Sequence, residues 1–205
     1  MRPRIAAGPL RTHRGVRPQG LCDATATLAS VSSPGSRRQP HGSVPHVGVI
    51  GPGGAAAAGG LDPALRAAAE EVGSLLAGAG ATLVCGGLGG VMEAACRGAA
   101  EHDGICVGIL PGEDRAAGNR HLTVALATGM GELRNALVVR CSDVLIAVGG
   151  SWGTLSEVAL ALRMDRPVVS LGTWLVEGED HPALHRAGSA GEAVGTALAL
   201  AARPG

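Results

Sequence analysis

The sequence predicts an α/β fold in which a single Rossmann-like, doubly wound parallel sheet carries helices on both faces. Short segments that are apolar at nearly every position, such as 47–50 and 144–148, alternate along the chain with longer stretches of helical character. Strands that are apolar on both faces are typical of a parallel sheet covered by helices on each side. Right-handed crossovers between such strands give a doubly wound sheet. Glycine clusters follow several of these strands, at the sheet edge where such folds bind ligands.

The predicted elements follow one another from residue 47 onwards, separated by glycine, proline and polar residues. Asp62 followed by Pro63 marks one helix start, because Asp caps free amides and Pro suits the first helical position. The predicted strands cover residues 47–50, 82–85, 105–110, 122–127 (a strand or an extended segment), 144–148 and 167–171. The predicted helices cover residues 63–77, 91–102, 132–140, about 154–164, and 190–202.

Charge divides the chain into a basic N-terminal tail and a mildly acidic body. Residues 1–44 hold seven arginines and one acid, Asp23, for a net charge of +6. The remaining residues hold ten arginines and 16 acids, for a net charge of −6. The tail is rich in Pro, Gly and Ser and lacks periodicity, so we predict a disordered tail over 1–44 and one folded domain over 45–205. A solvated tail, a transit-like peptide and a start codon assigned too early all stay open for this segment.

Residue types that the chain lacks exclude several functions. None of its 17 basic residues is lysine, so neither a pyridoxal phosphate Schiff base nor a Walker A P-loop is available. Its aromatic residues are two tryptophans and its body is acidic, so we expect no nucleic-acid partner. The five cysteines form no C-x-x-C pair, and the sequence shows no membrane-length apolar run or secretory signal. We therefore expect a cytoplasmic protein with no metal, no cofactor and no membrane partner.

The clearest candidate for a binding site is the glycine-rich turn after the predicted strand 144–148. A helix opens directly after this turn, so unpaired backbone amides and the positive end of the helix dipole face it. Glycine lets a phosphate approach such amides without obstruction by a Cβ atom, and Thr154 adds a hydroxyl donor. A tight turn with a threonine cap is the alternative interpretation. The predicted phosphate-binding residues of this turn are Gly149, Gly150, Ser151, Gly153 and Thr154.

A second glycine-rich turn follows the predicted strand 82–85, and we expect both turns to hold one anion from neighbouring strand ends. Met92 and Glu93 come next as candidate ligand contacts. The alternative for Met92 is a residue that packs in the core, and the alternative for Glu93 is an acid that interacts with the helix dipole. Arg134 and Asn135 belong to a later predicted helix, where Arg134 is a candidate phosphate or transition-state partner; an exposed helical arginine is its alternative. The predicted ligand-binding residues here are Gly86, Gly87, Gly89, Gly90, Met92, Glu93 and Asn135.

These motifs resemble those of the LONELY GUY-type proteins, historically labelled lysine decarboxylases. That family's G-G-x-x-G-x-M signature is matched by residues 86–92. Residues 148–157 resemble its P-G-G-x-G-T-x-x-E signature, with one residue more before Gly153. The resemblance covers residues 47–200. It implies a homodimer or higher homo-oligomer, and a phosphoribohydrolase that splits a nucleoside 5′-monophosphate into base and ribose 5-phosphate. It gives the catalytic roles to Arg134 and Glu157, where a carboxylate would stabilise oxocarbenium character or orient a water.

Three departures from the family pattern point to a bacterial side branch and leave a second function open. Val148 replaces the usual proline, Asn135 stands where plant members carry lysine, and Ser156 stands where many active members have a second acid. This branch also resembles molybdenum cofactor carrier proteins, which bind a pterin phosphate and perform no known hydrolysis. The alternative function is therefore a non-catalytic carrier or sensor of a phosphorylated pterin or nucleotide. The decarboxylase activity is excluded because the chain has no lysine.

Two further patterns carry less weight. Residues 51–56 match the dinucleotide fingerprint G-x-G-x-x-A, but no helix cap follows directly and no acidic residue ends the second strand. His181 and His185 are four positions apart, but nearby proline and glycine argue against a metal-binding helix. We therefore expect neither a classical dehydrogenase nor a histidine metal site.

Overall fold

Seven strands and five α-helices form the part of the chain that the computed structural model describes, residues 44–53, 60–173 and 181–202. Nearly all of the predicted tail lies outside these ranges. Two 3-10 helices, Arg115–Ala117 and Gly131–Arg134, accompany them. The strands are β1 (His46–Ile50), β2 (Thr82–Cys85), β3 (Cys106–Leu110), β4 (Val124–Ala127), β5 (Val144–Val148), β6 (Val168–Leu171) and β7 (Leu184–Ala187). The helices are α1 (Pro63–Gly78), α2 (Val91–Ala100), α3 (Asn135–Arg140), α4 (Trp152–Arg163) and α5 (Ala190–Ala201).

All seven strands run parallel in one sheet with the order β4-β3-β2-β1-β5-β6-β7. The order reverses between β1 and β5, where the chain leaves one half of the sheet and builds the other. β2 and β5 are buried at every position, as their apolar sequences predict. Helices α1, α2 and α5 pack in one core, and α3 and α4 in a second. The predicted doubly wound parallel sheet with helices on both faces is therefore confirmed.

The structure corrects the sequence predictions in three places. The sequence pattern does not predict β7, because Leu184–Ala187 contains a histidine and an arginine, yet its backbone pairs in parallel with β6 at the sheet edge. The helix predicted from residue 132 begins at Asn135, since Gly131–Arg134 first forms a 3-10 turn. The expectation that the two glycine-rich turns follow neighbouring strands is wrong, because β1 lies between β2 and β5.

Side-chain caps begin three of the five helices. Asp62 Oδ1 accepts hydrogen bonds from the amides of Ala64 at 2.7 Å and Leu65 at 3.3 Å, which confirms the predicted start of α1. Ser151 and Ser189 cap α4 and α5 in the same way. By contrast, α2 begins at a glycine, residue 90, with no side-chain cap.

Helices α1 and α2 touch along their backbones because a glycine occupies the crossing point on each. A Cβ atom on Gly73 of α1 would fall on the carbonyl oxygen of Ala95, and one on Gly98 of α2 would fall on that of Glu70. This reciprocal arrangement lets the two helices approach more closely than larger residues allow. The helix pair then packs its buried side, including Val72, into the core shared with β1 and β2.

Replacing Gly73 by Ala is expected to lower the free energy of unfolding by about 1–3 kcal/mol, because the new Cβ atom must push α2 away from α1. Gly195 in α5 is the matched control, since nothing lies within 4 Å of a Cβ atom built there. Gly195→Ala is expected to raise the same free energy by up to about 1 kcal/mol through helix propensity. Urea unfolding followed by circular dichroism measures both, and equal effects would contradict the backbone contact.

Candidate ligand-binding site

The reversal of strand order places a crevice at the carboxyl ends of β1 and β5. The connections after these two strands lead to opposite halves of the sheet, so they diverge and leave room between them. A Cβ atom on Gly51 would lie 2.5 Å from the carbonyl oxygen of Val148 and 2.6 Å from Cγ1 of Val91. Glycine at position 51 therefore lets the turn after β1 pack against the end of β5 and the start of α2. The two glycine-rich turns lie on either side of this turn, after β2 and β5.

The turn after β5 forms the capped N-terminus of α4. Gly149 has a φ of +63°, which residues with a side chain rarely adopt, and its N–H donates to the carbonyl oxygen of Leu171 at 2.9 Å. Ser151 Oγ accepts a hydrogen bond from the Thr154 amide at 3.3 Å and lies 2.9 Å from Thr154 Oγ1. Amides in the first turn of a helix have no acceptor within that helix, so the turn has the geometry of an anion site.

Arg134 and Glu157 form a buried ion pair, and Glu157 lies about one turn along α4 from Thr154. Arg134 Nη1 and Glu157 Oε1 are 3.5 Å apart, and the two side chains are 7% and 9% exposed. Arg134 ends the 3-10 helix Gly131–Arg134, while Glu157 lies on the buried side of α4 together with Thr154. The structure thus brings the two predicted catalytic residues together. The alternative interpretation of Arg134 as an exposed helical arginine is wrong.

Gly86 provides the space that the Arg134 guanidinium occupies. A Cβ atom at position 86 would lie 2.5 Å from Nη2 and 2.7 Å from both Cζ and Nη1 of Arg134. Because residue 86 has no side chain, the Arg134 guanidinium can pack against its backbone. The glycine pattern does not predict this role. Within the described chain, Nε of Arg134 is buried and has no hydrogen-bond partner. The Nε–H group of Arg134 is therefore an unpaired hydrogen-bond donor within the ion pair.

Burial raises the pKa of Glu157 from its ordinary value of 4.5 to about 7, because desolvation disfavours the carboxylate. The positive charge of Arg134 opposes this rise, and the negative charge of Glu132 adds to it. Near neutral pH the side chain therefore exists in both protonation states and can give or take a proton. A perturbed acid beside a ligand crevice is a typical functional candidate.

Asn135 and Ser156, two of the three departures from the family pattern, contact each other. Asn135 is buried, and its Nδ2 donates to Ser156 Oγ at 3.3 Å. Ser156 Oγ in turn donates to the carbonyl oxygen of Gly153 at 2.7 Å. A neutral hydrogen bond therefore stands where the family pattern would place a lysine near an acid, and the two substitutions compensate each other in charge.

Asn119 holds the glycine-rich turn that follows β2. Its Nδ2 donates to the carbonyl oxygens of Gly87 at 3.3 Å and Leu88 at 3.1 Å, and its backbone N–H donates to that of Gly87 at 2.9 Å. Gly87 and Gly90 have φ values of +75° and +71°, which explains glycine at both positions. Met92 packs in the hydrophobic core, so its alternative interpretation agrees with the structure.

The turn after β5 opens onto a cavity of about 380 Å³, which we call the apolar cavity. Gly150, Ser151 and Thr154 form the part of its wall that belongs to the turn. The rest of the wall is mainly aliphatic, with two hydroxyl groups, two arginines and a histidine. Its main residues are Leu155, Val158, Leu162 and Leu184, with the hydroxyl-bearing Ser170 and Thr173.

The turn after β2 opens onto a different cavity of about 300 Å³, which we call the arginine pocket. Gly89, Gly90 and Glu93 line it at the start of α2. Its charged and polar lining comes from separate segments and comprises Arg66, Arg97, Arg120 and His121. The two glycine-rich turns therefore face two cavities, one on each side of the crevice, whereas the sequence predicts one shared anion.

The walls of the apolar cavity could not be predicted from the sequence. Leu155, Val158 and Leu162 recur at helical spacing, but that pattern equally indicates core packing, and the sequence gives no sign of a cavity beside it. Ser170 lies on β6 and Thr173 just after it. The position of β6 next to α4 depends on the whole sheet, so the local sequence does not indicate it. A stripe of apolar residues directly after a phosphate-type turn is the one signal that could have located this wall.

Neither a metal site nor a membrane span is found in the described residues. There, no group of three or more His, Cys, Asp and Glu side chains could hold a metal ion. No helix within the same ranges is long and apolar enough to cross a bilayer. His181 lies at the apolar cavity and His185 on β7, so this pair does not share a helix.

An open parallel α/β sheet with a capped glycine turn at its switch point defines a class of proteins that commonly binds phosphorylated small molecules. The chain belongs to the SLOG cluster4 family, whose model matches residues 44–197. This match does not confirm the LONELY GUY-type assignment, which stays a prediction.

Proteins similar to this chain include carriers of a cofactor. An uncharacterized protein of Archaeoglobus fulgidus is 44% identical over 125 residues, which are 61% of this chain and 78% of that protein. The molybdenum cofactor binding protein of Rippkaea orientalis is 33% identical with a TM-score of 0.69, over 77% of this chain and 97% of that one. The molybdenum cofactor carrier protein of Chlamydomonas reinhardtii is 34% identical with a TM-score of 0.70, over 78% of this chain and 99% of that one. These similarities confirm the resemblance to molybdenum cofactor carriers.

The Glu157 carboxyl is expected to make the folded state less stable as the pH rises from 4.5 to about 7. The unfolded chain releases this proton near the ordinary pKa of 4.5, whereas the folded chain keeps it up to about pH 7. The contribution is therefore fully present below pH 4.5 and is lost through about pH 7. From the size of this shift, the loss is on the order of 3 kcal/mol.

Glu157→Gln removes this titration, so its free energy of unfolding is expected to change less than that of wild type between about pH 5 and about pH 8. Urea unfolding at both pH values measures the difference. Glu101→Gln, at an exposed position after α2, is the control and is expected to keep the wild-type profile. If the free energies of unfolding of Glu157→Gln and wild type change equally with pH, the pKa of the Glu157 carboxyl is not raised in the folded state.

Proposed function

We propose that the protein binds and carries a phosphorylated pterin of the molybdenum cofactor type. One observation supports this most directly: the start of α4 and the apolar cavity form one continuous site. Gly150, Ser151 and Thr154 belong both to the turn that begins the helix and to the cavity wall. A phosphate bound by the amides of the turn would leave an attached ring system at the entrance of the cavity.

The apolar cavity suits a fused heterocycle. Its volume of about 380 Å³ lies within the range of small-molecule sites. Leu155, Val158 and Leu184 would contact the faces of the ring, and the hydroxyl groups of Ser170 and Thr173 would bond to its polar edge. Aliphatic walls with a few placed polar groups give a ligand both affinity and orientation.

The charge of the cavity suits an anionic ligand. Arg163 and Arg186 line it together with His181, and the described lining contains no acid. Guanidinium groups favour phosphate because they offer paired N–H donors. The molybdenum cofactor binding and carrier proteins to which the chain is similar support the same ligand class.

The homodimer that the resemblance implies stays a prediction, which analytical ultracentrifugation would test.

Gly153→Asp is expected to weaken binding of the phosphorylated pterin about tenfold or more, because it places a carboxylate beside the phosphate position. The fold should tolerate this change, since a Cβ atom at 153 meets only Ser151 Oγ at 3.8 Å and an acid suits the first turn of a helix.

The test uses molybdopterin released from a molybdoenzyme and measures the pterin fluorescence that co-elutes with the protein in gel filtration. Gly153→Asn is the matched control, because it has the same shape without the charge, and it should retain the pterin. If wild type does not retain molybdopterin, or if Gly153→Asp retains as much as Gly153→Asn, the proposal is wrong.

A second candidate function is hydrolysis of the N-glycosidic bond of a nucleoside 5′-monophosphate, and the Arg134–Glu157 pair favours it. A carboxyl with a pKa of about 7 can protonate a leaving base and then accept a proton from the attacking water. The guanidinium 3.5 Å away would hold ribose or phosphate oxygens and steady the carboxylate once it forms. The phosphate position on the turn after β5 would be common to both functions.

Glu157→Gln is expected to reduce base release from AMP and isopentenyl-AMP by about 100-fold or more if the protein is a hydrolase, because the amide cannot transfer the proton. Chromatographic detection of free base measures this. Molybdopterin retention by the same variant is the control and is expected to stay near wild type, since Glu157 lies outside the apolar cavity lining. Absence of base release by wild type would reject hydrolysis and leave the carrier function untouched.

A further inference from the structure

We propose that the arginine pocket is a second phosphate-binding site, distinct from the turn after β5. It is a cavity of about 300 Å³ at the start of α2, and three arginines from three separate segments line it. Arg66 comes from α1, Arg97 from α2, and Arg120 from the connection between the 3-10 helix Arg115–Ala117 and β4. The proposal does not depend on what the turn after β5 binds.

The charges of the pocket are only partly balanced within the described chain. Arg97 forms an ion pair with Glu70, and Arg120 Nε donates to His121 Nε2 at 3.4 Å. Among the described residues, no carboxylate lies within ion-pair distance of Arg66 or Arg120. Glu93 is the one acid among the described lining residues, so these residues keep an excess of positive charge.

Positive groups that converge on one cavity repel each other, and an anion between them would remove that repulsion. Phosphate is the anion that fits, because guanidinium groups can bond it with two N–H donors each.

The backbone at the pocket adds to this preference. Gly89 and Gly90 line the pocket and bring no side chain, so an anion can approach the backbone there. Gly90 also begins α2 without a side-chain cap. The Val91 N–H donates to the carbonyl oxygen of Pro52 at 3.0 Å, whereas the next amides of this first turn have no acceptor within the helix. The positive end of the α2 dipole is therefore added to the arginine charges.

The phosphate could come from either of two sources. Gly86 seats Arg134 and Gly90 lines the arginine pocket, and four residues span at most about 14 Å. A ligand with two separate phosphate groups could therefore reach from the crevice beside Arg134 into the arginine pocket. A separate phosphorylated molecule could also occupy the pocket alone. The chemistry that recognises the phosphate is the same in both cases.

The test is calorimetric titration of the full chain with inorganic pyrophosphate in a phosphate-free buffer. The double variant Arg66→Gln, Arg120→Gln is expected to bind pyrophosphate about tenfold or more weakly, because it removes two charge-assisted contacts. Arg140→Gln, an exposed arginine at the end of α3, is the matched control and should bind within about twofold of wild type. All three substituted positions are exposed, so the variants are expected to fold.

Gly153→Asp separates this site from the turn after β5. Pyrophosphate binding that persists in Gly153→Asp and is lost in the double variant supports the proposal. Fructose 1,6-bisphosphate carries two separate phosphates, so weaker competition with pyrophosphate in Gly153→Asp than in wild type would identify a ligand that reaches both sites. Equal competition in the two proteins would identify a separate phosphorylated molecule. The proposal is overturned if wild type does not bind pyrophosphate, or if the double variant binds it as well as Arg140→Gln does.

Discussion

The ligand site depends on the reversal of strand order beside β1. The chain leaves β1 toward β2 and leaves β5 toward β6, so the two connections diverge from adjacent strand ends. Both turns must pass close to other backbone at this edge. Gly51 allows the first to lie on the end of β5, and Gly149 supplies the positive φ that the second requires. The start of α4 and its cavity follow from this geometry.

The buried pair of Arg134 and Glu157 is a poor source of stability. Removing two charges from water costs several kcal/mol each, and a packed apolar pair would often serve the fold as well. Here the contact is 3.5 Å long, one guanidinium donor is unpaired, and the carboxyl has a pKa of about 7. Nearby, Asn135 and Ser156 meet as a neutral pair, so this chain has fewer charges around the crevice than the family pattern suggests.

The sheet could be predicted from the sequence because each central strand is a short apolar run. The two glycine-rich turns could be predicted because glycines follow those runs. Edge strand β7 could not, since Leu184–Ala187 joins the sheet through backbone pairing and its side chains are partly polar. The burial of Arg134 depends on space above Gly86, which is 48 positions earlier in the chain. The two cavities combine residues from distant segments, so no local pattern indicates them.

The glycine contact between α1 and α2 also determines how rigidly the arginine pocket is built. Arg66 lies seven positions before Gly73 on α1, and Arg97 lies beside Gly98 on α2. Two helices that meet backbone to backbone have little freedom to slide, so the Cα atoms that carry these arginines stay at a constant separation. An incoming anion would then need to order only the outer parts of two side chains, and preorganisation of this kind reduces the entropy lost on binding.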